Sequence, residues 1–125
     1  MKPYQTIDQV AKQTGLTAYT LRYYERIGLL APVARAAGGQ RLYAPTDMAW
    51  LEFLLRLRTT HMPIGKMQAF AKLRSAGDST VVERRRMLEC HLQEVQAEVA
   101  AMQAAAAALQ VKIEHYRALE AKENI

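Results

Sequence analysis

The chain has little cysteine and no long apolar run. Its 125 residues include one cysteine, Cys90, so an intrachain disulfide and a cysteine-rich metal site are both excluded. A single thiol is typical of a reducing compartment. The polar N-terminal residues lack the apolar core of a signal peptide, and no apolar stretch approaches the length of a membrane span. We therefore expect a cytoplasmic protein with no membrane partner.

The groups that catalysis and cofactors require are also missing. The sequence contains no glycine-rich phosphate loop, and no nucleophile–base pair or carboxylate pair stands out. Cys90 and His91 follow three arginines at residues 84–86, an environment that favours a reactive thiolate. We favour instead an ordinary helix cysteine beside a solvated histidine. His61 and His115 are too scattered to complete a metal site there. We expect neither an enzyme nor a bound cofactor.

Proline and glycine are absent from residues 80–121, so nothing in the sequence breaks a helix there. Apolar side chains recur in this segment in alternating steps of four and three residues, which is a heptad repeat. The repeat consists of Leu88, Leu92, Val95, Val99, Met102, Ala106, Leu109, Ile113 and Tyr116. A helix of this length is roughly 60 Å long and cannot bury its own apolar seam. The pattern predicts a coiled-coil dimer with two-fold symmetry.

An antiparallel orientation satisfies the repeat in one register. That register pairs Leu92 with Tyr116, Val95 with Ile113, Val99 with Leu109, and Met102 with Ala106. It also brings Glu98 near Lys112 of the second copy and places the alanines of residues 104–108 at the crossing point, where small side chains permit close approach. Other registers stay open, because any regular heptad repeat offers some antiparallel pairing.

Positive charge is concentrated in the first part of the chain. Residues 1–75 contain 11 Lys or Arg and four Asp or Glu, a net charge of +7, whereas residues 76–125 contain six and eight, a net charge of −2. This distribution is expected when one region contacts phosphates and the other has a different role. We divide the chain into a DNA-binding domain, residues 1–76, and a dimerisation helix, residues 77–125.

Two short helices around a tight turn are predicted near the N-terminus. Thr6 and Gln9 form a capping box for the first helix, and Gly15 tolerates the turn. Thr17 caps the second helix, which Gly28 ends. Helical spacing exposes one face of that helix, formed by Tyr19, Arg22, Tyr23 and Arg26. Such a helix-turn-helix suits insertion into a DNA groove, although an ordinary solvated helix is the alternative.

A β-hairpin, or wing, is predicted next. Leu29 and Leu30 form its first short strand, residues 32–40 form a glycine-tipped loop, and residues 41–43 form the second strand. Arg35 and Arg41 on the wing suit phosphates or the minor groove, unless they serve only solubility.

Two apolar helices complete the first domain. The earlier one begins after Pro45 with Thr46 or Asp47 as its cap and buries Trp50. Arg56 and Arg58 project near its end, where one of the two could meet a phosphate. The later one runs from about residue 64 to residue 74. Its predicted inner face consists of Ile64, Met67, Phe70 and Leu73.

The motifs Thr-Leu-Arg-Tyr-Tyr-Glu at residues 20–25, Ile-Gly-Leu-Leu at 27–30 and Arg-Leu-Tyr at 41–43 resemble those of the MerR family of bacterial transcriptional regulators. The resemblance covers essentially the whole chain. It implies a mainly α fold, in which a winged helix-turn-helix domain precedes a long C-terminal helix that forms an antiparallel coiled-coil homodimer. It also implies that the dimer binds a near-palindromic promoter operator and distorts the double-stranded DNA for RNA polymerase in response to an effector.

By position, the resemblance implies DNA contacts from the second helix, the wing and the following helix. The resemblance and the exposed face of the second helix together give the candidate DNA contacts. These are Thr17, Tyr19, Arg22, Tyr23, Tyr24, Arg35, Arg41 and Arg58. Two residues depart from the family pattern. Gln40 stands where an aromatic residue usually precedes the wing arginine, and Gly38 stands where a turn asparagine is common.

The sequence does not match the features by which known classes of the family sense their effectors. Metal-sensing relatives place cysteines at both ends of the long helix, whereas Cys90 lies inside it. Sensors of aldehydes and thiol-reactive species carry a cysteine in the third helix, where Arg56 stands here. Drug-binding relatives add a large C-terminal domain, and an iron–sulfur cluster lacks ligands. The effector is therefore left open.

Two other classes of protein account for part of the sequence. A structural coiled-coil protein would leave the basic domain without a role. An architectural DNA-binding protein of the excisionase type shares the first domain but needs no long dimeric spacer. We favour a DNA-binding transcriptional regulator, with the architectural protein as the alternative.

Overall fold

The computed structural model describes residues 4–124. Contacts divide the chain into two units, the first ending at Met87 and the second beginning at Leu88. The predicted limit between a DNA-binding domain, residues 1–76, and a dimerisation helix, residues 77–125, divides the chain by function and stays a prediction. The elements are β1 (Gln5–Thr6), α1 (Ile7–Thr14), α2 (Ala18–Arg26), β2 (Ala34–Arg35), β3 (Arg41–Tyr43), α3 (Pro45–Thr59), α4 (Ile64–Ala76), a 3-10 turn (Asp78–Thr80) and α5 (Val81–Glu123).

The helix-turn-helix forms as its caps predict. The Thr6 side chain accepts from the Gln9 N–H at 3.3 Å, and the Gln9 side chain accepts from the Thr6 N–H at 2.9 Å. Gly15 ends α1 in the left-handed conformation, with φ 77°, which a side chain would disfavour. Thr17 then caps α2 by accepting from the Thr20 N–H at 3.0 Å. Local hydrogen bonds therefore fix the turn between α1 and α2.

The wing differs from the prediction in its first strand. Leu29 and Leu30 do not form a strand, because their N–H groups donate to the Tyr24 carbonyl and their side chains are buried. The strand that pairs with β3 is β2, with Ala34 opposite Leu42. β1, which the sequence did not predict, pairs with the other edge of β3. The sheet order is therefore β1-β3-β2, antiparallel throughout.

The cap of α3 also differs from the prediction. Ala44 is the residue that precedes the helix, and Pro45 occupies its first turn. Asp47 acts from inside the helix, since its Oδ2 accepts from the Ala44 N–H at 2.8 Å. Neither Thr46 nor Asp47 is the N-cap, because proline is favoured in the first turn and sets the start of the helix.

The core of the first unit lies between α3, α4 and the helix-turn-helix. It contains Val10, Leu21, Leu29, Leu30, Tyr43, Met48, Trp50, Leu51, Leu54, Leu57, Met62, Met67, Phe70 and Ala71. The prediction for α4 was wrong at Ile64, which is 48% exposed in the first turn, while Ala71 is buried. α4 was predicted to end near residue 74, but it continues to Ala76, and Gly77 is its C-cap.

The second unit consists of α5 from Leu88 onwards. No residue anywhere in α5 is buried in the single chain. Large apolar side chains stand exposed along it, among them Leu92, Val99, Met102, Leu109 and Ile113. No helix of residues 4–124 combines the length and apolarity of a membrane span. The helix therefore carries apolar surface that the single chain leaves uncovered.

Candidate nucleic-acid interface

The exposed face of α2 has the composition that the sequence predicted. Tyr19 is 70% exposed, Arg22 and Arg26 are exposed, and Tyr23 is half-buried. The guanidinium carbon of Arg26 lies 5.3 Å from the centroid of the Tyr23 ring, which is a cation–π contact. The opposite face buries Leu21 completely. One side of α2 thus anchors the helix while the other presents arginines and tyrosines.

Tyr24 does not share that face. Its side chain is only 6% exposed, so the structure places it in the core, against its proposed role as a DNA contact. The spacing explains the difference, because residue 24 lies one helical turn beyond buried Leu21. Its carbonyl accepts the N–H groups of Leu29 and Leu30, which fixes the chain after α2.

The tip of the wing is closed by its own hydrogen bonds. The Ala36 N–H donates to Gln40 O at 2.8 Å, and the Gly39 N–H donates to Ala36 O at 2.9 Å. Gly39 adopts φ 85°, which favours glycine at that position. Arg35 Nη1 donates to Gly39 O at 2.8 Å, so this exposed arginine lies along the tip. Hydrogen bonds within the hairpin therefore hold the tip of the wing.

An ion pair joins the wing to α2. Arg41 Nε lies 2.9 Å from Glu25 Oε1, and both side chains are largely buried. Arg41 was predicted as a DNA contact, and its Nε–H is now seen to be used within the protein. Glu25 was not singled out by the sequence. Opposite charges 16 residues apart carry no periodic signal, so only the fold reveals this pair.

The start of α1, α2 and the wing share one polar cleft of about 280 Å³. Arg22 lines it from α2, and Gly39, Gln40 and Arg41 line it from the wing. Beneath the wing, burial and then the charge of Glu25 raise the pKa of the Tyr43 phenol above its ordinary value. The phenol therefore stays neutral. The cleft itself brings together Arg22 of α2, Arg41 of the wing and one acidic residue, Asp8 at the start of α1.

Two further predicted residues have different surroundings. Arg58 is exposed near the end of α3 and does not line that cleft. Thr17 is committed to capping, because its oxygen accepts from the Thr20 backbone. Thr17 therefore shapes the start of α2 whether or not it touches a ligand.

Side chains of α3 and α4 hold the C-terminal end of α2, a role that the sequence did not reveal. Gln68 Nε2 donates to Ile27 O at 2.9 Å, and Trp50 Nε1 donates to Leu29 O at 2.8 Å. Both carbonyls follow the last turn of α2. A buried tryptophan signals a core position in sequence, but nothing in sequence indicates which carbonyl its N–H reaches.

The predicted dimerisation residues lie along α5 with most of their side chains in solvent. Leu92, Val99, Met102, Leu109, Ile113 and Tyr116 are 45–73% exposed, Ala106 is exposed, and Leu88 and Val95 are partly covered. Cys90 is exposed, off the seam. Across residues 4–124 no three His, Cys, Asp or Glu side chains cluster closely enough to hold a metal ion.

Two family descriptions match the chain. Residues 6–43 match "MerR family regulatory protein", and residues 48–111 match "MerR, DNA binding". The chain belongs to the MerR family. The matched segments show that it carries the DNA-binding region of such regulators, followed by the long helix, as the sequence motifs predicted.

Curated relatives support the assignment to the MerR family, and they match different shares of the chain. The HTH-type transcriptional regulator AdhR of Bacillus subtilis is 46% identical over 82 residues, which cover 66% of this chain and 59% of AdhR. The chain thus spans less than two thirds of that protein. An uncharacterized HTH-type transcriptional regulator of Haemophilus influenzae is 32% identical over 116 residues, which cover 93% of this chain and 86% of the relative.

Solved structures of MerR regulators have the same fold. HiNmlR, a MerR family regulator lacking the sensor domain, was crystallised bound to promoter DNA. It matches with a TM-score of 0.86 and 31% identity, covering 94% of each chain. A putative MerR regulator from Listeria monocytogenes matches with a TM-score of 0.84 and 30% identity, over 90% of this chain and 85% of that one. Similarity over nearly the whole chain, long helix included, disfavours the excisionase-type alternative.

Proposed function

We propose that this protein is a homodimeric transcriptional regulator that binds a two-fold promoter operator through α2 and the wing and controls transcription by distorting the DNA. The observation that carries the proposal is the single surface formed by Arg22 of α2 and the wing residues Gly39 to Arg41. RNA polymerase would be affected indirectly, through the geometry of the promoter.

The exposed face of α2 supports base reading. Arginine donates two hydrogen bonds to guanine in the major groove, and Arg22 projects from the middle of the exposed face. Tyr19 and Tyr23 offer hydroxyl groups and flat rings to phosphates or to thymine methyl groups. Arg26 is oriented by Tyr23 and suits a phosphate at the edge of the groove.

The wing and the end of α3 support backbone contacts. Arg35 extends along the tip of the wing, and its remaining N–H groups suit phosphate oxygens. Arg41 positions the wing through Glu25 and keeps other N–H groups for a phosphate. Arg58 would add a contact from the exposed end of α3. We assign no contact to Tyr24.

The uncovered seam of α5 supports the homodimer. Six large apolar side chains at heptad spacing remain exposed in one chain, and an identical helix supplies the matching surface. The antiparallel register that pairs Leu92 with Tyr116 is part of the proposal. Two copies of α2 would then face one operator with two-fold symmetry.

Footprinting on the promoter beside the gene for this protein tests the proposal. We expect protection of a two-fold site between the promoter elements, with affinity that falls steeply as salt rises. Arg22→Gln should weaken specific binding by at least about fivefold, because it removes a contact of roughly 1–3 kcal/mol. Sequence-independent coating of the DNA would contradict the proposal.

Lys122→Gln provides the matched control. It removes one positive charge from the last turn of α5, outside the proposed interface. We expect unchanged operator affinity and an unchanged dimer mass by sedimentation. Equal weakening by Arg22→Gln and Lys122→Gln would indicate a general charge effect and would count against base reading by α2.

A further inference from the structure

A second cleft shares no residue with the proposed DNA-binding face. It encloses about 380 Å³ and is walled by α3, α4 and the first turn of α5. Its lining includes Thr46, Trp50, Phe53, Phe70, Arg74 and Arg84, all within the first unit. No Asp or Glu of the described residues lines it. Two cations thus stand beside three aromatic rings with no acidic side chain in the wall.

The aromatic wall is rigid. Trp50 and Phe70 stack with ring centroids 5.9 Å apart and planes 5° from parallel. Phe53 packs against both rings, at 6.0 Å and 5.8 Å, and remains partly exposed. The hydrogen bond from Trp50 Nε1 to Leu29 O prevents the indole from turning. A fixed apolar wall of this kind suits the ring of a small ligand.

The two arginines are held in different ways. The guanidinium carbon of Arg74 lies 4.5 Å from the centroid of the Trp50 ring. Arg84 donates from Nε to Thr80 Oγ1 at 3.0 Å and from Nη2 to Gly77 O at 3.3 Å. These contacts position both charges at the cleft and leave N–H groups available to an anion.

We propose that this cleft binds a small aromatic carboxylate that acts as a regulatory effector. The ring of the ligand packs against Phe53 and the neighbouring aromatic side chains, and its carboxylate accepts hydrogen bonds from Arg74 in the field of Arg84. The bound ligand links α4 to the first turn of α5. The regulatory role rests on the proposed function, whereas binding itself does not.

Titration of the intact dimeric protein with phenylacetate tests binding. Trp50 is the single tryptophan of the chain and lines this cleft, so its fluorescence responds to a ligand bound there. We expect a saturable change with a dissociation constant of about 1 mM or below. Phenylacetamide keeps the ring without the charge, and acetate keeps the charge without the ring. Both should bind at least about tenfold more weakly.

Arg74→Gln should weaken phenylacetate binding by at least about tenfold, since it removes the group that pairs with the carboxylate. Arg86→Gln removes the same charge from the exposed side of α5, outside the lining, and should leave affinity unchanged. Because Arg74 contacts Trp50, saturation-transfer NMR on the ligand protons repeats the measurement without relying on fluorescence.

Equal binding of phenylacetamide, or equal weakening by Arg74→Gln and Arg86→Gln, would overturn the recognition of an anion. Absence of saturable binding up to about 20 mM would overturn the site altogether, including the case in which a second copy covers the cleft. Transcription in vitro from the operator promoter, measured with and without phenylacetate, tests the regulatory role. A change in transcript yield supports it, and an unchanged yield with bound ligand refutes it. Failure to bind any operator would instead count against the proposed function and leave the binding result intact.

Discussion

The two units of the chain differ in charge and in what they bury. Residues 1–87 contain 14 Lys or Arg and six Asp or Glu, a net charge of +8, whereas residues 88–125 contain three and six, a net charge of −3. Among residues 4–87 the first unit has sixteen buried apolar side chains, and no residue of α5 is buried. The basic unit therefore has an apolar core of its own, whereas the acidic helix leaves its apolar side chains exposed in the single chain.

This contrast assigns different physical roles to apolar residues of the same type. Leu54 is fully buried in the single chain, so the removal of its side chain from water stabilises the first unit. Leu109 is 65% exposed in the single chain, so it can add a similar stabilisation only when a second helix covers it.

Leu109→Asp should have the largest effect. A two-fold interface contains the change twice, and burying unpaired carboxylates in an apolar seam costs several kcal/mol. We expect the dimer dissociation constant to rise by at least about 1,000-fold, or about 4 kcal/mol, measured by analytical ultracentrifugation.

Val111→Asp is the matched control for the seam. Val111 lies on the same helix and is 67% exposed, almost equal to Leu109, but it stands off the heptad positions. It should leave the dimer intact. If both substitutions weakened association equally, the predicted seam would be wrong, and the contrast between the units would not follow from heptad spacing.

Leu54→Ala should have the next largest effect, confined to the first unit. Removing a fully buried leucine leaves a cavity and should lower the free energy of unfolding by about 3 kcal/mol. Urea denaturation followed by the fluorescence of Trp50 measures this change. Leu119→Ala makes the same chemical change off the seam of α5 and should cost less than about 0.5 kcal/mol. Comparable losses would show that the first unit does not fold independently of α5.

The Glu25–Arg41 ion pair should have the smallest effect. A double-mutant cycle with Glu25→Gln and Arg41→Gln should give a coupling energy of about 0.5–1 kcal/mol, reduced by salt. Urea denaturation again provides the measurement. The control cycle pairs Glu25→Gln with Arg35→Gln, which should be additive because Arg35 bonds Gly39 instead. Equal coupling in both cycles would mean that general charge, rather than this contact, supports the wing.

Sequence patterns predicted most elements where the signal was local. Thr6 with Gln9, Gly15 and Thr17 marked the limits of α1 and the start of α2 through hydrogen bonds between near neighbours. The prediction of a strand at Leu29 and Leu30 was wrong, because two adjacent buried apolar residues give the same sequence pattern in a strand and in a turn. It missed β1, whose two residues become a strand only through pairing with β3.

The candidate site was predicted in part. The exposed face of α2 followed from helical spacing around buried Leu21. By the same helical spacing Tyr24 falls on the side of Leu21. The resemblance implied a DNA contact for Tyr24 instead, whereas its side chain is buried. The roles of Glu25, Gln68 and Arg74 could not be predicted, since each contacts a residue from another element.

Local patterns in the sequence were enough to predict the caps, the basic first part, the exposed arginines and tyrosines of α2 and the heptad repeat of α5. All of these depend on residues within a few turns of one another, and periodicity or composition encodes them. Only the tertiary structure decided that Arg41 binds Glu25, that Tyr24 faces inward, and that Trp50, Arg74 and Arg84 meet in one cleft. Those contacts join distant segments, and their geometry arises from packing, which no local pattern specifies.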